Sequence, residues 1–505
     1  MRGGGLLELR NAQAVAREEI PALNVMHFRD RVITRVALGA RLVTFFAVPG
    51  DGPIVELVAV LANDAGSALE LVRTAVQDRF PSLTPDCVQA ARFEREICEQ
   101  AGLLPEGHPW LKPLRSHGQW GPGPMGLHDP ALPIGADYPF FAMRGDEVHE
   151  VAVGPVHAGV IEPGHFRFQC HGETVYNLEI MLGFQHRGLE RGLIGGPDAG
   201  TVYLMEAVAG DSTVGHAVAY AQAMEALAGC AVPPRGHALR ALALELERLA
   251  NHTGDLGALA GDVGFLPTAS YCGRLRGAFL NLTAELCGNR LGRGLVRPGG
   301  TAYDLTPAQA GTLREGLEET GRDLRGAVEL FFASGSVQAR LEGTGVVTAE
   351  DATALGLVGP AARACGRRRD VRRDHPTGYY RLAQIPTVTA PDGDVHARAT
   401  VRWLEIQRSI EFARALLTEL PAGPTRAECP RPRPGLAVVS LVEAWRGEAA
   451  HVALTGPAGA FERYKITDAS FHNWPALEMA LRGAEISDFP LTNKSFNLSY
   501  GGHDL

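Results

Sequence analysis

Eight cysteines occur in the 505 residues, and no two of them stand as C-x-x-C. Cys87, Cys98, Cys170, Cys230, Cys272, Cys287, Cys365 and Cys429 are scattered, which suits reduced, buried thiols in a cytosolic protein rather than a disulfide frame. An iron–sulfur cluster draws on several thiolates at short spacing, so none is expected on this chain. Long apolar runs are missing as well. None reaches the ~20 residues that span a bilayer, and the start MRGGGLLELRNAQAVAREE carries charges where a signal peptide needs an apolar core. Positive charge is not in excess: the formal net charge of -9 argues against nucleic acid as the main partner. The local exception is Arg363, Arg367, Arg368, Arg369, Arg372 and Arg373, which reads as solvated surface or a face for a carboxylate-rich protein. No internal repeat is visible.

What remains is a chain too long for one ordinary core, so two or more domains are expected. Residues 30–100 read as a small α/β unit. Its strands are expected at 32–36, 41–48 and 54–61, from their β-branched and aromatic content, with a turn at 50–52. Residues 67–79 have helical spacing, and a helix ending at Gly102 precedes a loop closed by Pro105 and Pro109. Residues 115–150 are dense in Gly and Pro and read as a linker. They contain G-x-G-x-x-G at Gly121, Gly123 and Gly126, but prolines fill the gaps and no strand precedes it, so no dinucleotide site is expected. From 151 onward the chain is mainly helical, with helices expected over 236–259, 274–293 and 401–417 and a small β portion near 151–175. The unusual chemistry is concentrated in residues 154–216, where His157, His165, His171, His186, His216, Glu162, Glu173, Glu179, Glu190 and Asp211 lie among turn-forming Gly and Pro. This stretch reads as the wall of a site.

Two sets of motifs carry a family resemblance. Phe93-Glu94-Arg95-Glu96-Ile97 followed by Glu106-Gly107-His108-Pro109 resembles the small C-type subunit of respiratory complex I. Gly154-Pro155-Val156-His157, Glu162-Pro163-Gly164-His165-Phe166-Arg167-Phe168, Leu182-Gly183-Phe184-Gln185-His186-Arg187, Glu245-Leu246-Glu247-Arg248 and the tail Phe489-Pro490-Leu491-Thr492-Asn493-Lys494 resemble the D-type subunit and, more closely, the large subunit of group 4 membrane-bound [NiFe]-hydrogenases. The resemblance implies an α+β chain: a C-subunit-like α/β domain over 1–114, a linker over 115–150, and a mainly helical large-subunit domain over 151–505. It also implies an iron–sulfur small subunit and antiporter-like membrane subunits as partners, with NAD bound elsewhere. The place would be the cytoplasmic face of a membrane, held peripherally.

The departure from the family is as informative as the match. Its hydrogenases hold nickel and iron on two C-x-x-C pairs, and those positions fall on Ala209 and Ser212 and on Ser499 and Gly502. Oxygen and carbon are poor replacements for soft thiolates, so nickel–iron chemistry is not expected. D-type subunits use the vacated cavity for a quinone headgroup, between a His of the glycine-rich hairpin and a Tyr. His157 or His165 fits the first role. The tyrosine position aligns near Gly210, leaving Tyr220 and Tyr500 as substitutes. Asp211 and His216 flank the ligand positions and could relay protons or form a satisfied polar pair; Glu443, in LVEAWRGE, matches a region close to the family's active site. His186 reads as a helix-end fixture, His252 with Asp262 as a polar path, and residues 501–505 as a plug or a frayed end. The expected role is an oxidoreductase subunit passing electrons from an iron–sulfur partner to quinone or another acceptor in an ion-pumping complex. The alternatives are a non-catalytic coupling scaffold and a hydrogenase with atypical ligands.

Overall fold

The computed structural model describes residues 6–48, 50, 52–118, 135–157 and 161–505. The G-x-G-x-x-G at 121–126 lies outside them. The fold is α+β, as expected. An antiparallel meander of Arg41–Val48, Val55–Asn63 and Ala68–Val76 is extended by Leu7–Leu9 and flanked by the helices Val25–Ala37 and Ala91–Ala101. The second of these stops at Gly102, whose φ of 69° closes the last turn at no steric cost.

Two elements differ from expectation. The run at 32–36 is not a strand but the second half of the helix Val25–Ala37, started by Asn24 accepting the His27 N–H at 2.9 Å. Phe28 and Val32, one turn apart, are its buried residues, and its Arg35 pairs with Glu70. Residues 67–79 are mostly strand rather than helix. Leu69 and Leu71 face one core while Val72 and Val76 face another, so both faces are apolar and the alternation that marks a strand disappears.

The large domain surrounds the helix Pro234–Asp262, packed against Thr213–Ala228, Leu266–Cys287, Pro307–Ala333 and Val395–Thr418. The strands Val148–Val153, His165–His171 and Thr174–Met181 form a sheet at its edge; the first of them runs across the expected boundary at 150. A second sheet was not anticipated. Leu436–Ala444, Gly447–Thr455 and Phe461–Thr467 form an antiparallel meander buried on both sides. Ala14–Ala16, from the first 114 residues, completes it by pairing with Leu436–Val438. Val43, Phe46, Val58 and Val60 of the N-terminal sheet share a core with Ala437, Val439 and Val452 of this one, so the two sheets pack as layers. The arginine-rich stretch is likewise not all surface: Arg363 and Arg372 are 0% and 4% exposed, because buried carboxylates pair with them. No helix of the described residues is long and apolar enough to cross a membrane.

Candidate functional site

A cleft of about 660 Å³ opens between the glycine-rich hairpin, the loop before Thr213–Ala228 and the C-terminal segment. Val153, Ile161, Phe168, Phe489 and Leu498 supply apolar wall; Glu162, Asp211, Arg446, Lys494, Asn497 and Tyr500 supply the polar groups. Arg446 organises it. Its guanidinium holds Asp211 bidentately at 2.5 and 2.7 Å, reaches the Ser212 Oγ at 3.4 Å, and donates through Nε to the Asn497 carbonyl at 2.6 Å. The hairpin turn that carries Arg446 also aims Trp445 at the same loop, where its indole N–H donates to the Asp211 carbonyl at 2.8 Å. Asn251 donates to that carbonyl at 3.0 Å from the central helix. Three distant segments are thus fixed around one guanidinium, and a bidentate carboxylate pair is the geometry arginine favours.

Tyr500 also lines the cleft. Its ring packs edge-on against Trp474 at 4.9 Å, and its backbone N–H donates to Glu162 at 3.2 Å. Its hydroxyl is buried and makes no hydrogen bond of good geometry, with Asn493 standing beside it. Burial pushes the phenol up to about 12, so it stays a donor. Burial also raises Glu162. Glu247 lies just behind the loop and accepts from Val214 and Gly215 at 2.7 and 3.2 Å, capping the helix Thr213–Ala228 from its neighbour. Its burial pushes the carboxyl up to about 8 against those two bonds. A carboxyl raised from about 4.5 binds a proton in the folded state that the unfolded chain has lost. Stability therefore falls as pH rises from about 4.5 to about 8 and is level above that. Glu247→Gln is expected to flatten this decline, measured as melting temperature against pH.

The residues expected from sequence divide. Asp211 lines the cleft. His157 and His165 serve the hairpin instead: His157 Nε2 meets the Gly164 carbonyl at 2.9 Å and His165 Nδ1 meets the Gly154 carbonyl at 3.1 Å. Neither is among the residues lining the cleft. His216 is fully buried in a line of four groups, Asp468–His216–His451–Tyr464, linked at 3.0, 3.0 and 2.8 Å. His216 and Asp211 do not pair with each other: Asp468 takes the one and Arg446 the other. Glu443 lies deeper, on Arg363 at 2.8 Å. His252 and Asp262 share a helix but not a path, because His252 bonds Glu405 at 2.8 Å while Asp262 lines the cleft. Of the two candidate tyrosines, Tyr220 is buried against Tyr464 and only Tyr500 lines the cleft. Arg446 was missed, although an arginine directly after the tryptophan of VEAWRGE was the signal.

The tail is held rather than frayed. His186 Nδ1 meets at 2.7 Å the carbonyl of Asp504, the last residue of the short helix Tyr500–Asp504, and so fixes a helix end, and Asp504 accepts the N–H groups of Gly183 and Gln185 at 2.8 and 2.9 Å. This packing bears on the four positions, Ala209, Ser212, Ser499 and Gly502, that the resemblance aligns with the hydrogenase metal ligands. Ala209 offers a methyl, and the Ser499 hydroxyl is engaged by the Gly502 N–H at 2.9 Å. A Cβ at Gly502 would lie 2.9 Å from the Asp468 carboxyl carbon. These residues do not fit a thiolate-held nickel–iron centre. Gly502→Cys is accordingly expected to cost about 1–3 kcal/mol through overpacking, read as a lowered melting temperature.

Comparison with known proteins gives the same outline. The family model for the 49 Kd subunit of respiratory-chain NADH dehydrogenase matches residues 262–435, and that for the 30 Kd subunit matches residues 35–138. The chain is 33% identical to the carbon monoxide-induced hydrogenase of Rhodospirillum rubrum, over 69% of this chain and 97% of that one. It is 30% identical to formate hydrogenlyase subunit 5 of Escherichia coli (strain K12), over 85% and 78%. Among solved structures, a chain of the membrane-bound sulfane sulfur reductase, an archaeal respiratory membrane complex, superposes with a TM-score of 0.67 at 24% identity, covering 71% of this chain and 99% of that one.

Proposed function

Since the chain belongs to the family of the respiratory-chain NADH dehydrogenase 49 kDa subunit and its related hydrogenases, with a 30 kDa-type domain fused in front, we propose that it is the acceptor-binding subunit of a membrane-associated, ion-translocating oxidoreductase complex. Electrons from an iron–sulfur partner subunit would pass to a quinone, or an acceptor of similar chemistry, in the cleft. The chain would sit peripherally on the cytoplasmic face against antiporter-like membrane subunits, with NAD, where used, bound by another subunit.

The observation that carries this reading is the cleft itself. Its apolar walls suit a quinone ring, and it is lined by Tyr500, whose phenol has no well-placed protein partner, and by the Asp211–Arg446 pair. A two-electron reduction of a quinone consumes two protons. Tyr500 can stabilise the developing oxyanion by hydrogen bonding and Arg446 by charge, while Glu162 and Asp262, both raised by burial, are the cleft carboxyl groups suited to donate protons. The test is electron transfer in the purified complex to a short-chain quinone. Turnover that disappears in Asp211→Asn and is weakened in Tyr500→Phe while assembly persists supports the reading. Unchanged turnover, with loss of assembly only, would favour the coupling scaffold.

A further inference from the structure

Behind the cleft, seven charged side chains share one buried cluster. Arg248, Arg363 and Arg372 face Glu245, Asp370, Glu405 and Glu443, each 4% exposed or less. Arg363 reaches Glu443 at 2.8 Å and Glu405 at 2.6 Å; Arg372 reaches Asp370 at 2.6 Å and Glu245 at 3.1 Å. Burial lowers His252, which keeps it neutral on Glu405. Counted as ionised, the cluster holds four negative charges against three positive ones. An uncompensated buried charge is costly and is relieved by taking up a proton. Glu443 is the member least able to stay ionised. Glu245 accepts from Arg248, Arg372, Ser409 and Tyr380, and Glu405 holds both Arg363 and His252, whereas Glu443 has Arg363 and one backbone N–H, from Val371 at 3.0 Å. Across the strand pair it also faces Glu448, itself held by Arg41. Burial pushes Glu443 up to about 7.

Two cavities share His375, and this carboxyl lines the smaller of them. A cavity of about 10 Å³ is lined by Glu443, Asp370, Asp374, Asp64, Arg41, Arg369 and His375. That is room for one water molecule with several polar partners. His375 also lines a second cavity, of about 810 Å³, with Arg10, Asn11, Gln222 and Arg381. Its Nε2 faces Asp64 at 3.0 Å, where the carboxylate is 21% exposed, and its Nδ1 is buried without a hydrogen-bond partner.

We propose that Glu443 is a proton-loading site filled through His375 from the large cavity. The imidazole takes up a proton from the large cavity that it lines, and its Nε2, which faces Asp64 beside the small cavity, hands a proton through one water to the Glu443 carboxylate. Neutralising Glu443 frees Arg363 towards Glu405 and changes the charge three residues from Arg446. The purpose of the loading rests on the acceptor reading of the cleft, but its measurement does not.

The test is infrared spectroscopy of the full chain with isotope-labelled glutamate, after a jump from above to below about pH 7. The wild type gains a protonated buried-carboxyl band that Glu443→Gln lacks. His375→Leu keeps the band but slows its appearance on the order of a hundredfold, since a positioned relay is gone. His375→Gln, which retains a donor to Asp64, guards against misfolding of the leucine variant and is slowed alike. A band that survives Glu443→Gln, or a wild-type rate in both His375 variants, overturns the proposal. No acceptor is used, so this failure would leave the cleft reading standing; lost turnover with intact loading would do the reverse.

Discussion

Arg446→Met is expected to lower acceptor turnover about a hundredfold and to destabilise the protein by about 2–3 kcal/mol. The stability estimate begins from the 3–5 kcal/mol typical of breaking a buried ion pair by removing one partner. It is reduced because the Asp211 side chain is 36% exposed while that of Arg446 is 5% exposed, so water recovers part of the loss. The larger effect on turnover follows from geometry. One guanidinium positions the 209–212 loop, its own hairpin turn and the Asn497 carbonyl, and it stacks on Trp445 at 4.0 Å. Without it the cleft loses a positive charge and its wall becomes loose. Arg446→Lys separates the two roles. A single ammonium keeps the charge but cannot serve Asp211 bidentately and Asn497 together, so stability should recover in part and turnover should not. Thermal melts and steady-state rates on the same preparations check both.

Tyr500→Phe should behave in the opposite way, with stability unchanged or slightly raised and affinity for the acceptor lowered about tenfold, which is about 1.4 kcal/mol. The ring keeps its packing against Trp474 and Phe166. The hydroxyl has no good partner in the protein, so removing it leaves nothing unsatisfied. What it would lose is the hydrogen bond to a bound acceptor. Equilibrium binding of a short-chain quinone, followed beside the melting temperature, reads both quantities.

Much of the fold was legible because long amphipathic helices repeat their pattern often. Leu239, Leu242, Leu246 and Leu249 mark the central helix over several turns. Elements with two buried faces were not legible. Leu436–Ala444 and Ala68–Val76 present nearly continuous apolar runs in which strand and helix look alike, and only tertiary layering distinguishes them. The site divided for a related reason. Asp211 and Tyr500 lie in segments that the family resemblance singled out. Arg446 comes from a strand turn far along the chain, and nothing local says that it reaches back to Asp211. The histidines misled for the reverse reason: a ring among turn glycines at 154–165 signals a constrained backbone, and here a backbone carbonyl takes one nitrogen of each ring.

The central claim is that this cleft binds an electron acceptor without a metal. The most direct measurement is quenching of tryptophan fluorescence in the nickel-free purified complex, titrated with a short-chain quinone, because Trp445 and Trp474 flank Arg446 and Tyr500. Saturable one-site quenching, weakened about tenfold in Tyr500→Phe and absent in Arg446→Met, is the predicted result. Quenching that does not saturate, or an affinity identical in all three proteins, would contradict it.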